Sequence, residues 1–207
     1  MADERRRVVR DGYEQVAAAY LAHRPRDGAD VAWLDDLVAA VAPGGRVLDA
    51  GCGAGEPVTA ALLGAGLEVV GVDCAAAQLT LAARLAGPLT LAQGDLAALP
   101  LADARVDGVV SYYAVIHVPR DDHPRVFDEV RRVLRPGGTA VLCLGARDLP
   151  EDHDPASWLG PAMYWSHFDA DTNLALLEAH GLAVGRAARV PDPMEHGEHL
   201  FVVARRR

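Results

Sequence analysis

Apolar positions along this chain change their period repeatedly. Over residues 8–22, Val8, Val9, Tyr13, Val16, Ala17 and Tyr20 recur at helical spacing and predict an amphipathic helix. A second helix is expected over 30–41, with Asp30 as its cap and Pro43-Gly44-Gly45 as its stop. Short apolar runs and helical patterns then alternate: strand 46–50, helix 55–65, strand 67–72, helix 75–86, strand 88–92, strand 107–111, helix 122–134 and strand 139–144. A helix at 170–180 and strands at 182–190 and 198–205, joined by a turn-rich link, close the pattern. This alternation predicts an α/β fold, a parallel sheet with helices on both faces. Residues 146–168 break it with acids, prolines and then aromatics, and read as a long loop of the kind that carries function.

The first strand leads into the most informative segment. Gly51, Gly53 and Gly55 follow Val47-Leu48-Asp49-Ala50 at every second position, and a helical stretch comes next. Glycines in a strand-to-helix turn let a ligand lie on the backbone. Dinucleotide sites space their glycines Gly-x-Gly-x-x-Gly to bring a pyrophosphate to a helix N-terminus. Here the spacing is tighter, and Asp49 precedes it, which suits an ammonium group better than a pyrophosphate. Asp73 ends the second apolar run, about twenty residues on, where an acid holds a ribose diol. A ribose without pyrophosphate, joined to a cationic amino-acid part, describes S-adenosylmethionine.

Composition narrows the field. A chain of 207 residues that is 51% hydrophobic suits one domain. We read 1–42 as a helical lid region, 43–145 as a cofactor-binding core, 146–168 as an acceptor-side loop and 169–207 as a C-terminal helix and strand pair. A net charge of −9 argues against nucleic-acid or anionic-membrane partners. All twenty basic residues are arginine, which excludes a Schiff-base lysine and the P-loop lysine. Cys52, Cys74 and Cys143 have no paired spacing and read as reduced core residues. His196 and His199 with Glu195 and Glu198 match no closed zinc set, nor does His153 between Asp152 and Asp154, so no metal is expected. There is no signal-peptide pattern and no long apolar run, and the expectation is a soluble cytoplasmic monomer or homodimer.

Val47-Leu48-Asp49-Ala50-Gly51-Cys52-Gly53-Ala54-Gly55 resembles motif I of the class I S-adenosylmethionine-dependent methyltransferases. Val69-Val70-Gly71-Val72-Asp73 is similar to their second-strand acid motif, and Gly94-Asp95-Leu96 to their adenine-binding motif. Arg132-Val133-Leu134-Arg135-Pro136-Gly137-Gly138 resembles their junction into the fifth strand. The resemblance implies a Rossmann-like, seven-stranded, mostly parallel sheet with an antiparallel last strand, and S-adenosylmethionine as cofactor. It assigns Asp49, Gly51, Cys52 and Gly53 to the turn under the methionine part and ribose, and Asp73 to the ribose hydroxyls. Asp95 and the Leu96 amide would take the adenine, which Cys74 and Gln78 flank. Ser111 and Tyr112 would lie beside the sulfonium, with Tyr20 closing over the cofactor.

Methyl transfer needs an aligned acceptor, a dry site and a proton acceptor where the nucleophile is protic. His117, just beyond the fourth strand, is the first candidate base, and His167 in the aromatic segment the second. Tyr13, Trp158, Tyr164 and Trp165 are candidate acceptor walls. Acceptor classes with their own signatures are disfavoured. Ser111-Tyr112-Tyr113-Ala114 lacks the paired prolines of nucleobase-amine enzymes, no Pro-Cys occurs for cytosine carbon-5 chemistry, and 111–121 holds no glutamate pair for protein arginine. The expected acceptor is therefore a small molecule, methylated on oxygen or nitrogen. A silent S-adenosylmethionine-binding module and a nicotinamide oxidoreductase are the alternatives.

Overall fold

In the computed structural model, residues 4–154, 159–194 and 197–207 are described. Helix α1 (Glu4–His23) is followed by a 3₁₀ turn at Val31–Trp33 and α2 (Leu34–Ala40). The central unit runs β1 (Arg46–Ala50), α3 (Val58–Gly64), β2 (Glu68–Asp73), α4 (Ala76–Ala82), β3 (Leu89–Gln93), β4 (Val106–Ser111), α5 (His123–Val133) and β5 (Leu134–Gly145). Then come β6 (Leu149–Asp154), β7 (Met163–His167), α6 (Ala170–Ala179), β8 (Leu182–Pro191) and β9 (Glu198–Arg206).

Seven strands form one sheet in the order β3-β2-β1-β4-β5-β9-β8. The first five are parallel, and β9 runs antiparallel to both neighbours. The core strands are buried on both faces, so adjacent residues feed different cores. Leu48, Val72, Val109 and Leu142 pack with Val126, Phe127 and Val130 of α5 and Leu177 of α6. Val47, Val69, Val110 and Val141 pack instead with Leu37 of α2 and Leu62 of α3. The chain leaves β1 in one direction towards β2 and β3 and returns to β4 on the other side. That reversal opens a crevice at the carboxyl ends of β1 and β4, the usual ligand position in such sheets.

Three expectations change. The 146–168 segment is not a loop throughout: β6 and β7 form an antiparallel hairpin, with Leu149 opposite His167 and Asp152 opposite Trp165. Asp30 does not cap a helix with its side chain; its carboxylate instead takes the buried guanidinium of Arg24. The helix after the glycine turn begins at Val58, behind Pro57.

Helix α1 lies across the carboxyl end of the sheet, where Val9 packs with Met163 and Tyr164. Gly12 permits the approach, because a Cβ there would sit 2.8 Å from the Ala162 carbonyl oxygen. Among the described residues, no helix is long and apolar enough to cross a membrane.

Candidate active site

The turn after β1 is held from the neighbouring strand. The Gly51 and Cys52 amides both donate to the Val72 carbonyl, at 2.7 and 3.0 Å. Gly51 has φ +84°, and a Cβ there would lie 2.2 Å from the Ala114 Cβ, so only glycine fits. Asp73 closes the turn: its Oδ2 accepts from the Gly53 amide at 2.8 Å and its Oδ1 from the Ala75 amide at 2.9 Å. Burial raises the Asp73 carboxyl above its ordinary range, and these amides oppose the shift.

A cavity beside this turn is lined by Tyr20, Gly51, Gly53, Asp73, Cys74, Gln78, Asp95, Leu96 and Tyr112, nine of the sequence-derived cofactor residues. Asp49, Cys52 and Ser111 do not line it. Asp49 is buried and accepts from the Thr59 hydroxyl at 2.6 Å; burial pushes its carboxyl up to about 7, with the Thr59 bond opposing. Cys52 is buried against Gly71, and the Ser111 hydroxyl donates to the Ala50 carbonyl at 2.7 Å. All three shape the turn from behind.

Helix α1 roofs this cavity with residues that no local pattern singles out. Arg6 forms ion pairs with Asp95 and Asp122. Glu14 accepts from the Ala76 and Ala77 amides at 2.6 and 2.9 Å, capping α4 from outside.

A second, larger cleft of about 870 Å³ adjoins it. The two share Tyr13, Tyr20, Tyr113 and His117 as a common wall. Met163, Trp165, His167 and His199 extend the larger cleft, with Arg147 and Arg189, Asp152, Asp192 and Glu198 also bordering it. Tyr164 is fully buried beneath α1 and is not among the cleft-lining residues. Trp158 lies outside the described residues.

Three histidines border the larger cleft in different hydrogen-bonding states. His117 Nδ1 lies 2.8 Å from the Tyr164 carbonyl and therefore carries the proton; its Nε2 accepts from the Tyr13 hydroxyl at 3.0 Å. Burial lowers His117 to about 4. His167 Nδ1–H donates to the Arg147 carbonyl at 2.8 Å, so its Nε2 holds the lone pair, with no hydrogen bond among the described residues. Burial lowers the pKa of His167 as well. Gly145 makes room for that ring, since a Cβ there would meet His167 Nδ1 at 2.2 Å. His199 Nε2 is 2.9 Å from Asp192 Oδ2, and Asp192 Oδ1 takes the Met194 amide at 2.7 Å.

The family described as "Methyltransferase domain" matches residues 47–138, from β1 into β5. Over 200 residues the chain is 30% identical to the demethylmenaquinone methyltransferase of Symbiobacterium thermophilum, covering 91% of this chain and 75% of that protein. The chain belongs to the class I S-adenosylmethionine-dependent methyltransferases. It is 38% identical over 105 residues to 24-methylenesterol C-methyltransferase 2 of Oryza sativa subsp. japonica, a match to 48% of this chain and only 28% of that protein. The chain thus spans less than a third of the sterol methyltransferases that it matches. Its fold is that of the 1,6-didemethyltoxoflavin-N1-methyltransferase of Burkholderia thailandensis, whose structure holds 1,6-didemethyltoxoflavin and S-adenosylhomocysteine. That likeness has a TM-score of 0.72 at 24% identity, over 95% of this chain and 84% of that one.

The residues present fit the family's cofactor. Gly51 leaves backbone exposed where a side chain would intrude, and Asp73 accepts one amide on each oxygen, leaving further lone pairs for hydroxyl donors. Gln78 is buried on the cavity wall with neither end of its amide hydrogen-bonded. An orphaned amide in such a place calls for a polar partner.

Proposed function

We propose that this chain transfers a methyl group to a protic oxygen or nitrogen of a small-molecule acceptor in the larger cleft. The observation that carries this reading is the shared wall: a cofactor cavity and a roomier cleft meet at Tyr13, Tyr20, Tyr113 and His117. S-adenosylmethionine, when bound, supplies the methyl group on a sulfonium, an electrophile with its leaving group built in. The protein's part is alignment, exclusion of water and removal of the acceptor's proton.

Gly51, Gly53, Asp73, Asp95 and Gln78 would hold the cofactor. Helix α1 acts as a lid, since its Arg6, Val9, Tyr13 and Tyr20 cover the cofactor cavity. His167 takes the proton, because its Nε2 lone pair is uncommitted while His117 is engaged at both nitrogens. A lowered pKa keeps His167 neutral, and therefore basic in function, at pH 7. His117 instead orients Tyr13 at the shared wall. The relatives' names span carbon and nitrogen acceptors, so acceptor choice rests on the cleft rather than the fold.

Calorimetry tests the cofactor reading: S-adenosylhomocysteine is expected to bind and NADH not to, and the reverse result overturns it. With labelled S-adenosylmethionine and a panel of phenols, carboxylic acids and amines, His167→Asn is expected to lower transfer by about 10²-fold or more. Its affinity for S-adenosylhomocysteine should stay unchanged. Wild-type rates in that variant would remove His167 from proton transfer.

A further inference from the structure

Tyr113, two residues beyond the end of β4, has φ +54°; Ala104 is the one other non-glycine residue with positive φ among those described. Positive φ is uncommon for an aromatic side chain and persists only where the surroundings enforce it. The surroundings here are specific. The Tyr113 hydroxyl donates to Asp30 Oδ2 at 3.2 Å. Asp30 is in turn paired with Arg24, and both side chains are almost fully buried, at 1% and 3% exposure. The Arg24 guanidinium stands over the Tyr113 ring, 4.9 Å from its centroid, and its Nη1 has no hydrogen-bond partner, so the ring is what that nitrogen's cation faces. The neighbouring Tyr112 hydroxyl donates to the Asp30 backbone carbonyl at 2.9 Å.

A buried ion pair is a poor stabiliser, because desolvating both charges offsets most of their attraction. This one does something a hydrophobic pair could not: it ties a residue of the 24–30 segment to a ring more than eighty positions away in sequence, in a conformation that the backbone resists. The ring so held borders both the cofactor cavity and the larger cleft.

We propose that Tyr113 is the partition that sets the methyl path between donor and acceptor, and that Arg24 and Asp30 are positioning residues that hold it in place. The hydroxyl is turned away to Asp30, so Tyr113 contributes its ring and not an acid or base. Without the tether the backbone relaxes and the ring leaves the shared wall.

The probe is S-adenosylhomocysteine, so the test rests on the methyltransferase reading above. Calorimetric dissociation constants and melting midpoints are measured for wild type, Tyr113→Phe, Asp30→Asn and the double variant. Tyr113→Phe keeps the ring and loses only the bond to the carboxylate; its affinity is expected to fall about tenfold, because the untethered ring holds its place on the wall in a smaller fraction of molecules. Asp30→Asn should lose at least as much. The double variant should lose no more than Asp30→Asn alone, because the neutral amide has already given up the charge that holds both Arg24 and the Tyr113 hydroxyl. Equal affinity in Tyr113→Phe and wild type, or single effects that multiply in the double variant, overturns the proposal. A lowered melting midpoint with an unmoved dissociation constant also overturns it, since that is what a purely structural bond would give. Should Asp30→Asn fail to fold, Tyr113→Phe decides alone, because it leaves the ion pair intact. If wild type itself binds no S-adenosylhomocysteine, the methyltransferase reading fails; if wild type binds and Tyr113→Phe binds equally, only the assignment of Tyr113 falls.

Discussion

His123 and His117 are buried side chains, each with a ring nitrogen tied to a backbone carbonyl, and burial lowers both to about 4 from an ordinary 6.5. Between those values the unfolded chain binds protons that the native one refuses, so stability is lost as pH falls through the window. Asp49 acts in the opposite sense. Burial holds its carboxyl near 7 against an ordinary 3.8, so the native state keeps a proton there and is weakened as pH rises from 4 to 7. His167 is lowered and Asp73 raised in the same respective directions. His117 and His123 each tilt stability upward between pH 4 and 6.5, against the fall that Asp49 contributes over the same range. His123→Asn should flatten this limb, removing up to about 3 kcal/mol of its rise. Urea midpoints measured at half-unit intervals from pH 4 to 7 check it; an unchanged limb would mean that His123 is not held neutral.

The glycine turn joins folding to binding at two neighbouring positions that separate experimentally. Gly51→Ala drives a Cβ into Ala114 at φ +84° and should destabilise the fold by about 1–3 kcal/mol. At Gly53, with φ +53°, an added Cβ meets nothing nearer than the Gln78 Oε1 at 3.8 Å, so Gly53→Ala carries backbone strain without the clash and should melt nearer wild type than Gly51→Ala while losing S-adenosylhomocysteine affinity. Equal melting losses in the two variants would show that the turn is limited by backbone strain alone. This turn was readable because its glycines, its preceding strand and Asp73 are local signals in fixed order. The β6–β7 hairpin was not: Leu149-Pro150-Glu151-Asp152 carries the residues of a loop, and its pairing depends on Trp165 and His167 across the hairpin. The cap of α4 was equally hidden. Its N-cap position is Ala75 and its first residue Ala76, neither of which has a capping side chain, and Glu14 arrives from a different helix. The same holds for Arg24, Asp30 and Tyr113, whose meaning appears only when segments distant in sequence meet. The histidines were visible as candidates, but which nitrogen was committed could be read only from their partners.

Across the whole molecule, Phe201 of β9 links the sheet to the shared wall. It is fully buried, and its ring contacts those of Trp33, Tyr112 and Tyr113 at centroid distances of 5.7, 5.0 and 6.1 Å. Phe201→Ala should cost about 3–5 kcal/mol, read as a lower denaturation midpoint. Loss below 1 kcal/mol would mean that the site collapses around the gap.

The antiparallel placement of β9 also orders events in time. The turn after β1, Asp73 and Asp95 lie within one continuous stretch ending before β5. His199 and Asp192 reach the larger cleft only when β9 pairs with β5, Gly145 opposite His199 and Thr139 opposite Arg205. During synthesis the donor half of the site can therefore assemble on the ribosome while the acceptor half awaits the distant strand, since such long-range pairings form late. A nascent chain halted before β9 would leave the edge of β5 open to whatever strand it meets first.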